Sequence, residues 1–399
     1  MKIVLVQLND KAVYVGYKRN QTRRTPLGLA YVAASLLKSG HDVQIIDGSL
    51  DDLTPIDIIK EVIAKDPQLL GVTCTTPLFP QLVEVVKAVK TIAPDIYVII
   101  GGPHVSALPE ASLDNSGADS VCINECEKIS NLDLIPFPAR NLLRVKEYVD
   151  YARGVLEPQT SVITSRGCVG RCGFCNAANS RLRCRSLENV MQELEEIYFV
   201  YGIKNLVFFD DSLTTNKYRI IELCRGMIER RLYFSYQIQA RLDQIDDEVM
   251  DWLVKSGCVQ IGPGIESGNI DVLKSIGKNQ TPEFMLEKCR IIKKYPVKMR
   301  CSYIMGWIDE TEEQVFDTIN LAKEIDSDEN AFSIATPYPG TRMWNVALQR
   351  GMVSKDMDFS QFLYYHKIGC NLSLIPDERL LELHELAYKE VGNRNYCLG

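Results

Sequence analysis

The feature that most constrains this chain is an alternation, run through twice, of short apolar stretches with amphipathic segments. In residues 1–128 the apolar stretches fall at 2–6, 42–47, 69–74, 96–100 and 120–123. Segments of helical period lie between them at 27–38, 55–64 and 79–92. A stretch such as YVII has no polar face, so it belongs to a strand covered on both sides. The expectation is an α/β domain with a doubly wound, Rossmann-like parallel sheet. Ligands of such sheets gather at the carboxyl ends of the strands. Those ends read TPLG at 25–28, TCTTP at 73–77 and GGPH at 101–104. A connection over 129–160 contains the Pro-rich IPFPAR. The second alternation has stretches at 161–165, 205–209, 233–238, 259–262, 298–304 and 331–335, with helical segments near 187–200, 217–230, 247–256, 282–294 and 311–325. Six such units over 161–340 predict a partial (β/α)6 barrel of TIM type, with its chemistry at the strand carboxyl ends. Residues 341–399 are expected to form a short, mostly helical tail.

Composition narrows the class. A chain of 399 residues with 46% hydrophobic and 24% charged residues can bury more than one core. Its net charge of −7 argues against a nucleic-acid partner. The basic pairs Lys18-Arg19 and Arg23-Arg24 read as a solvated loop. No stretch approaches the ~20 apolar residues of a membrane span, and the N-terminus runs directly into a strand pattern rather than a signal peptide. A cytoplasmic protein without a membrane partner is expected. Thiols stay reduced in that compartment, so the 13 cysteines are not read as a disulfide framework. Most read as core residues.

Three stand apart. Cys168, Cys172 and Cys175 have C-x3-C-x2-C spacing on a Gly-containing loop just after an apolar stretch. Three thiolates held this way can ligate three irons of a [4Fe–4S] cluster. Structural zinc is almost always four-coordinate, and no fourth ligand lies at ligand spacing nearby. One iron is therefore expected to stay open.

At these cysteines, with Phe174 before the last one, the chain resembles the radical S-adenosylmethionine (SAM) superfamily. The resemblance continues through FFDDSLTTN at 208–216, QIQARLD at 237–243, GIESG at 264–268 and PYPGT at 337–341. It implies that Asp210 and Asp211 meet the methionyl ammonium and that Arg241 meets its carboxylate. Gln239, Glu266, Ser267 and Phe174 are implied as further cofactor contacts. Where the superfamily commonly reads G-L-P-G-E, this chain has Gly306-Trp307-Ile308-Asp309-Glu310, which adds an indole and a carboxylate to that loop, and Trp307 reads equally as a packing residue or a substrate wall.

Residues 1–128 resemble the cobalamin-binding domain that precedes one large class of these enzymes. TPLGLAYVAASLLKSGHDVQIID at 25–47, LLGVTCTTP at 69–77, IGGPHVSALPE at 100–110 and NECE at 124–127 carry the likeness. The implied contacts are Thr25, Leu27, Gly28, Thr75, Thr76, Gly101, Gly102, His104, Asn124 and Glu125. The D-x-H-x-x-G motif that supplies an imidazole to cobalt is absent, and His104 is the only histidine in a predicted cofactor loop. Together the two halves resemble cobalamin-dependent radical SAM C-methyltransferases. In the implied mechanism one SAM methylates cobalamin and a second yields a 5′-deoxyadenosyl radical. The radical activates a carbon that then takes the methyl group of methylcobalamin. The substrate is expected near Trp307, Tyr303 and Tyr338, and a low-potential donor such as ferredoxin or flavodoxin is implied. The short tail and linker favour a peptide or protein residue over a free small metabolite. Among enzymes of similar layout, the chain resembles those that methylate carbons of methyl-coenzyme M reductase, such as its glutamine C-methyltransferase. Two other readings stay open: a cobalamin-associated radical enzyme that cyclises or rearranges a metabolite, and a non-catalytic iron–sulfur and cobalamin sensor.

Overall fold

The computed structural model describes residues 1–11, 13, 24–124, 129–150, 155–365 and 367–391. Lys18, Arg19, Arg23 and Glu125 lie outside the described residues. The N-terminal sheet is built from β1 (Lys2–Gln7), β2 (Asp42–Asp47), β3 (Leu69–Thr73), β4 (Tyr97–Gly101) and β5 (Ser120–Val121). All pairs are parallel and the order is β2-β1-β3-β4-β5. This order reverses beside β1, so successive crossovers place helices on both faces. Ile3, Val4, Leu5 and Val6 are all buried, which explains a strand with no polar face.

The helices obey local rules. Helix α1 spans Leu27–Lys38. Helix α2 (Pro55–Lys65) starts at Thr54, whose hydroxyl accepts from the Asp57 amide while Asp57 reaches back to Thr54. Helix α3 (Phe79–Ile92) buries Phe79, Leu82, Val85, Val86 and Val89, a stripe of helical period. Each such side chain contributes about 1.5–3 kcal/mol on burial.

The second sheet comprises β6 (Gln159–Val162), β7 (Asn205–Phe208), β8 (Ser235–Ala240), β9 (Cys258–Glu266), β10 (Lys298–Met305) and β11 (Glu329–Ile334). Their spatial order is their chain order, every pair is parallel, and β6 and β11 form the two edges. Helices α5 (Leu187–Glu195), α6 (Lys217–Glu229), α7 (Asp247–Lys255), α8 (Ile270–Ile276), α9 (Pro282–Ile292) and α10 (Glu312–Ile325) fall between the strands, after α4 (Pro109–Ser116) of the first domain. Leu206, Phe208, Tyr236, Ile238, Ile261, Met299, Cys301, Tyr303 and Phe332 form one core with helix residues such as Leu223, Val249 and Met285. The alternate positions Gln237, Gln239, Ser302 and Ser333 face the other way. The barrel's inner surface is therefore polar.

The tail departs from expectation. Helices α11 (Arg342–Gln349) and α12 (Asp377–Val391) form, but among the described residues between them only a single tight turn, Phe359–Gln361, is helical. The reason is packing. Phe359 and Phe362 join a core that also holds Val72 and Leu78 of the first domain, Trp307 of the second and Trp344 of the tail itself. The tail also closes the β11 edge. Ile334 N donates to Tyr364 O at 2.8 Å, Phe332 N donates to Tyr388 Oη at 3.0 Å, and His384 Nε2 lies 3.0 Å from Phe332 O. An edge strand with free backbone groups invites unwanted pairing, and these bonds remove that exposure.

A buried ion network ties the connection to the barrel. Arg140, from IPFPAR, reaches Glu193 of α5 at 2.7 Å and donates to Ser161 O at 2.8 Å. Arg185 grips the other oxygen of Glu193. Arg140 and Glu193 are wholly buried, so each charge depends on its partner.

Candidate functional site

The cysteine loop leaves the β6 end and turns back on itself. Asn179 N donates to Gly170 O at 2.6 Å and Ser180 N to Cys168 O at 3.0 Å, while Cys168 N donates to Ser180 Oγ at 2.9 Å. Gly173 is pinned from both sides: its N–H donates to Ile276 O at 2.7 Å and its carbonyl accepts from Met343 N at 2.9 Å. Cys168, Cys172 and Cys175 are all free and half-buried. Of the remaining described free cysteines six are buried and Cys184 is exposed.

Burial pushes the Cys172 thiol up to about 11; Glu266 and Cys175 add to the rise, while Lys278 and Arg241 oppose it. Burial likewise raises Cys175. These thiols must shed their protons when iron binds. Among the described residues no three His, Cys, Asp or Glu side chains close on a single metal ion. A cubane needs a wider spread, one thiolate on each of three irons. Soft donors on one loop, with space in front of them, fit such a cluster.

That space is visible. One cavity of about 450 Å³ is lined by Arg171, Cys172, Cys175, Asn176, Asn179 and Arg342. A second, of about 290 Å³, is lined by Gly170, Arg171, Arg241, Gly277 and Asn279. Arg241 lies close over the loop: a methyl group on Gly170 would sit 2.7 Å from Arg241 Nη1. Its other Nη pairs with Asp243, which Gln280 also holds. Asp211 accepts from Gly167 N at 2.7 Å and lies 3.7 Å from Arg166. Glu266 ends β9 with a left-handed φ of 68°, next to a register shift against β10. It pairs with Lys278 at 3.1 Å. Gln239 lies over Gly262, where a methyl group would come within 2.6 Å of the amide oxygen.

Other expected contacts do not face this space. Asp210 is buried and accepts from Thr164 N, Thr164 Oγ1 and Ser165 Oγ at 2.6–3.1 Å. Burial raises its carboxyl, against the pull of those donors. It clasps the β6 and β7 ends together. Ser267 is buried against Thr318 of α10, with its oxygen 3.1 Å from the Thr318 hydroxyl. It braces a helix.

None of the three aromatics assigned to the substrate lines an open wall. Trp307 is fully buried, donates from Nε1 to Ser275 Oγ at 2.9 Å, and meets Phe174 edge to face at 6.4 Å. It supports the cysteine loop from below. Tyr303 is on the outer face of β10, stacked on Phe332 at 4.8 Å. Tyr338 donates to Phe362 O at 2.9 Å and fastens the tail. Glu310, in the altered G-L-P-G-E position, accepts from Gly306 N at 2.6 Å and Trp307 N at 2.9 Å. Burial lifts it to about 7. Asp309 takes the left-handed φ of 57° that a glycine would adopt freely, and Arg350 holds it at 2.8 Å.

At the first sheet, Thr75 and Gly28 are exposed, whereas Thr25 and Leu27 are buried. Gly102, with φ 98°, lets the chain turn over β3, since a methyl group there would lie 2.5 Å from Cys74 O; Gly101 ends β4. Asn124 is held by its N–H to Ser106 Oγ at 2.8 Å. His104 is not presented to a ligand. It lies between Phe79 and Phe359, at centroid distances of 4.2 and 4.7 Å, and its Nδ1 is 3.3 Å from the buried Thr76 hydroxyl. Burial pushes its pKa down to about 4, so it is a neutral core imidazole.

Sequence reasoning missed Lys278 and Arg342. No spacing marks them, because tertiary turns bring them to the loop. Gly277, with φ 89°, was the available signal for Lys278.

Comparison with known proteins agrees with this geometry. Residues 21–131 match the B12 binding domain and residues 162–322 the Radical SAM superfamily. An uncharacterized methyltransferase of Pyrococcus horikoshii is 35% identical over 83% of this chain and 80% of its own. An anaerobic magnesium-protoporphyrin IX monomethyl ester cyclase of Synechocystis is 22% identical over 92% of this chain and 81% of its own. The fold matches the radical SAM methyltransferase TsrM of Kitasatospora setae with a TM-score of 0.68 and 19% identity, over 88% of this chain and 77% of that one. The chain belongs to the cobalamin-dependent radical SAM methyltransferase family.

Proposed function

We propose that the protein transfers a methyl group to an unactivated carbon, using a [4Fe–4S] cluster, SAM and cobalamin. One observation carries the reading: three half-buried thiols share one loop, Arg241 from the β8 end lies against that loop, and the thiols' environment includes Glu266 and Asp211, beside two cavities. When bound, the cofactors supply radical generation and the methyl group. The protein's part is to hold and orient. Cys168, Cys172 and Cys175 would hold the cluster and leave one iron free. Arg241 would take a carboxylate, and Asp211 an ammonium, by charge-assisted bonds. The loops around Thr75, Gly102 and Asn124 would carry cobalamin, with His104 outside the cobalt's coordination. A reduced assay should yield both S-adenosylhomocysteine and 5′-deoxyadenosine. Deoxyadenosine without S-adenosylhomocysteine would overturn methyl transfer.

Within that activity, we propose a peptide or protein residue as the target, with electrons from a ferredoxin or flavodoxin. Phe359, Phe362 and α12 are committed to the domain junction and the β11 edge, so these elements do not cover the polar inner face of the barrel. A peptide's flanking residues can cover it and exclude water. Peptides offered to the reduced enzyme should gain the mass of one methylene. Turnover of a free metabolite with inert peptides would overturn the peptide target, and a cyclised or rearranged product without S-adenosylhomocysteine would favour the second reading, with which the cyclase relative is compatible.

A further inference from the structure

Lys278 follows α8 at a point where the helix end is pressed onto the cysteine loop. Ile276 O receives the Gly173 amide at 2.7 Å, and a methyl group on Gly277 would lie 2.6 Å from Arg171 O. These two contacts bracket Cys172. The left-handed turn at Gly277, with φ 89°, then sends the next side chain inward. Lys278 Nζ donates to Gly264 O and meets Glu266 Oε1 at 3.1 Å, with side chains only 10% and 12% exposed. A cation this deep is costly unless something charged repays it. Glu266 repays part, and a structural strut between β9 and α8 needs no charge at all.

We infer that Lys278 is a positioning residue that sets the cluster's redox poise, its ammonium offsetting the Glu266 carboxylate and the negative charge gained at the Cys172 side on reduction. The inference rests on the three cysteines holding the cluster. Reduction adds an electron to an already anionic centre, and nearby charge acts strongly where water is scarce. Cluster potentials follow net charge and local exposure. The cation therefore favours the reduced form and the carboxylate opposes it.

The test is an anaerobic redox titration of the reconstituted full-length protein, reading the paramagnetic signal of the reduced cluster. Lys278→Met should move the midpoint to more negative potential, with about tenfold less cluster reduced at a fixed potential, equivalent to about 59 mV for one electron. Glu266→Gln should move it the opposite way. The double variant should return close to the parent, and Lys278→Arg should match it. If Lys278→Met fails to hold a cluster, Glu266→Gln and Lys278→Arg carry the test. Unmoved midpoints with cluster content retained, or shifts of both single variants in one direction, would overturn the inference and leave the cysteine assignment standing. A parent protein without any cluster signal would overturn both.

Discussion

The two sheets of this molecule are made from the same alternation of strand and helix, yet they leave room for ligands in different places. In the first, the order β2-β1-β3-β4-β5 reverses beside β1 and helices cover both faces, so a ligand is expected only over the loops at the strand ends. Much of that rim is already filled: His104, Thr76 and Cys74 are buried, and Phe359 arrives from the tail to seal them. In the second, strand order follows chain order. One face packs under helices, and the other, with Gln237, Gln239, Ser302 and Ser333, is left polar. Strand order, more than strand composition, decides whether a polar residue at a strand end is a ligand contact or a core residue.

This comparison can be broken most decisively at the cysteine loop. Replacing Cys168, Cys172 and Cys175 together by Ala should abolish the cluster's absorbance while the far-ultraviolet spectrum keeps its helical signal. Loss of both would mean that the loop holds the fold rather than a ligand.

The next largest effect is expected where the two halves are joined. Glu193→Ala strands Arg140 and Arg185 in a dry site and should cost about 3–5 kcal/mol in chemical denaturation. A cost below about 1 kcal/mol would show that water reaches the network.

His104 sharpens the contrast at the first sheet. Its folded pKa, near 4, lies below the unfolded value of 6.5. The unfolded chain therefore takes up the proton first as pH falls. Stability is fully present above pH 6.5 and declines towards pH 4, by up to about 3 kcal/mol at 1.36 kcal/mol per unit. His104→Gln should flatten that decline and leave the spectrum of bound cobalamin unchanged. Loss of nitrogen coupling to cobalt in the variant would instead make His104 a ligand.

At the second sheet the expected effect falls on binding. Arg241→Ala should weaken SAM by about 1–3 kcal/mol in equilibrium binding, the cost of a lost charge-assisted bond. Asp243→Ala should do less, since it only steadies Arg241. Equal losses of stability with unchanged affinity would reduce both to a rim ion pair.

Smallest is Trp307→Phe. It removes the bond to Ser275, worth about 1 kcal/mol, and should lower the melting temperature without altering product ratios. A changed product ratio would return Trp307 to the substrate wall.

Much of this was legible in the sequence. Helix α3 was read at its observed bounds because Leu82, Val85, Val86 and Val89 recur at helical spacing. The five strands of the first sheet and the six of the second follow from apolar stretches too short to be helices. The cysteine trio was legible because its spacing is local: one loop contains all three ligands. Asp210 and Ser267 were not, because adjacent residues at a strand end face opposite ways, and only the neighbouring element shows which one meets the cavity. The packing of Trp307, Tyr303 and Tyr338 was not legible either, since an aromatic ring satisfies a core as readily as a substrate wall. The sequence by itself determined the alternation, the sheet class, the cysteine spacing and the family likeness, all properties of neighbours along the chain. Only the tertiary structure decided that Phe359 would close over His104, that Glu193 would join Arg140 of the connection to Arg185 of the barrel, and that Lys278 would turn inward near the cysteine loop. Those are meetings of residues far apart in sequence, fixed by strand order and by which buried charge or ring finds a partner.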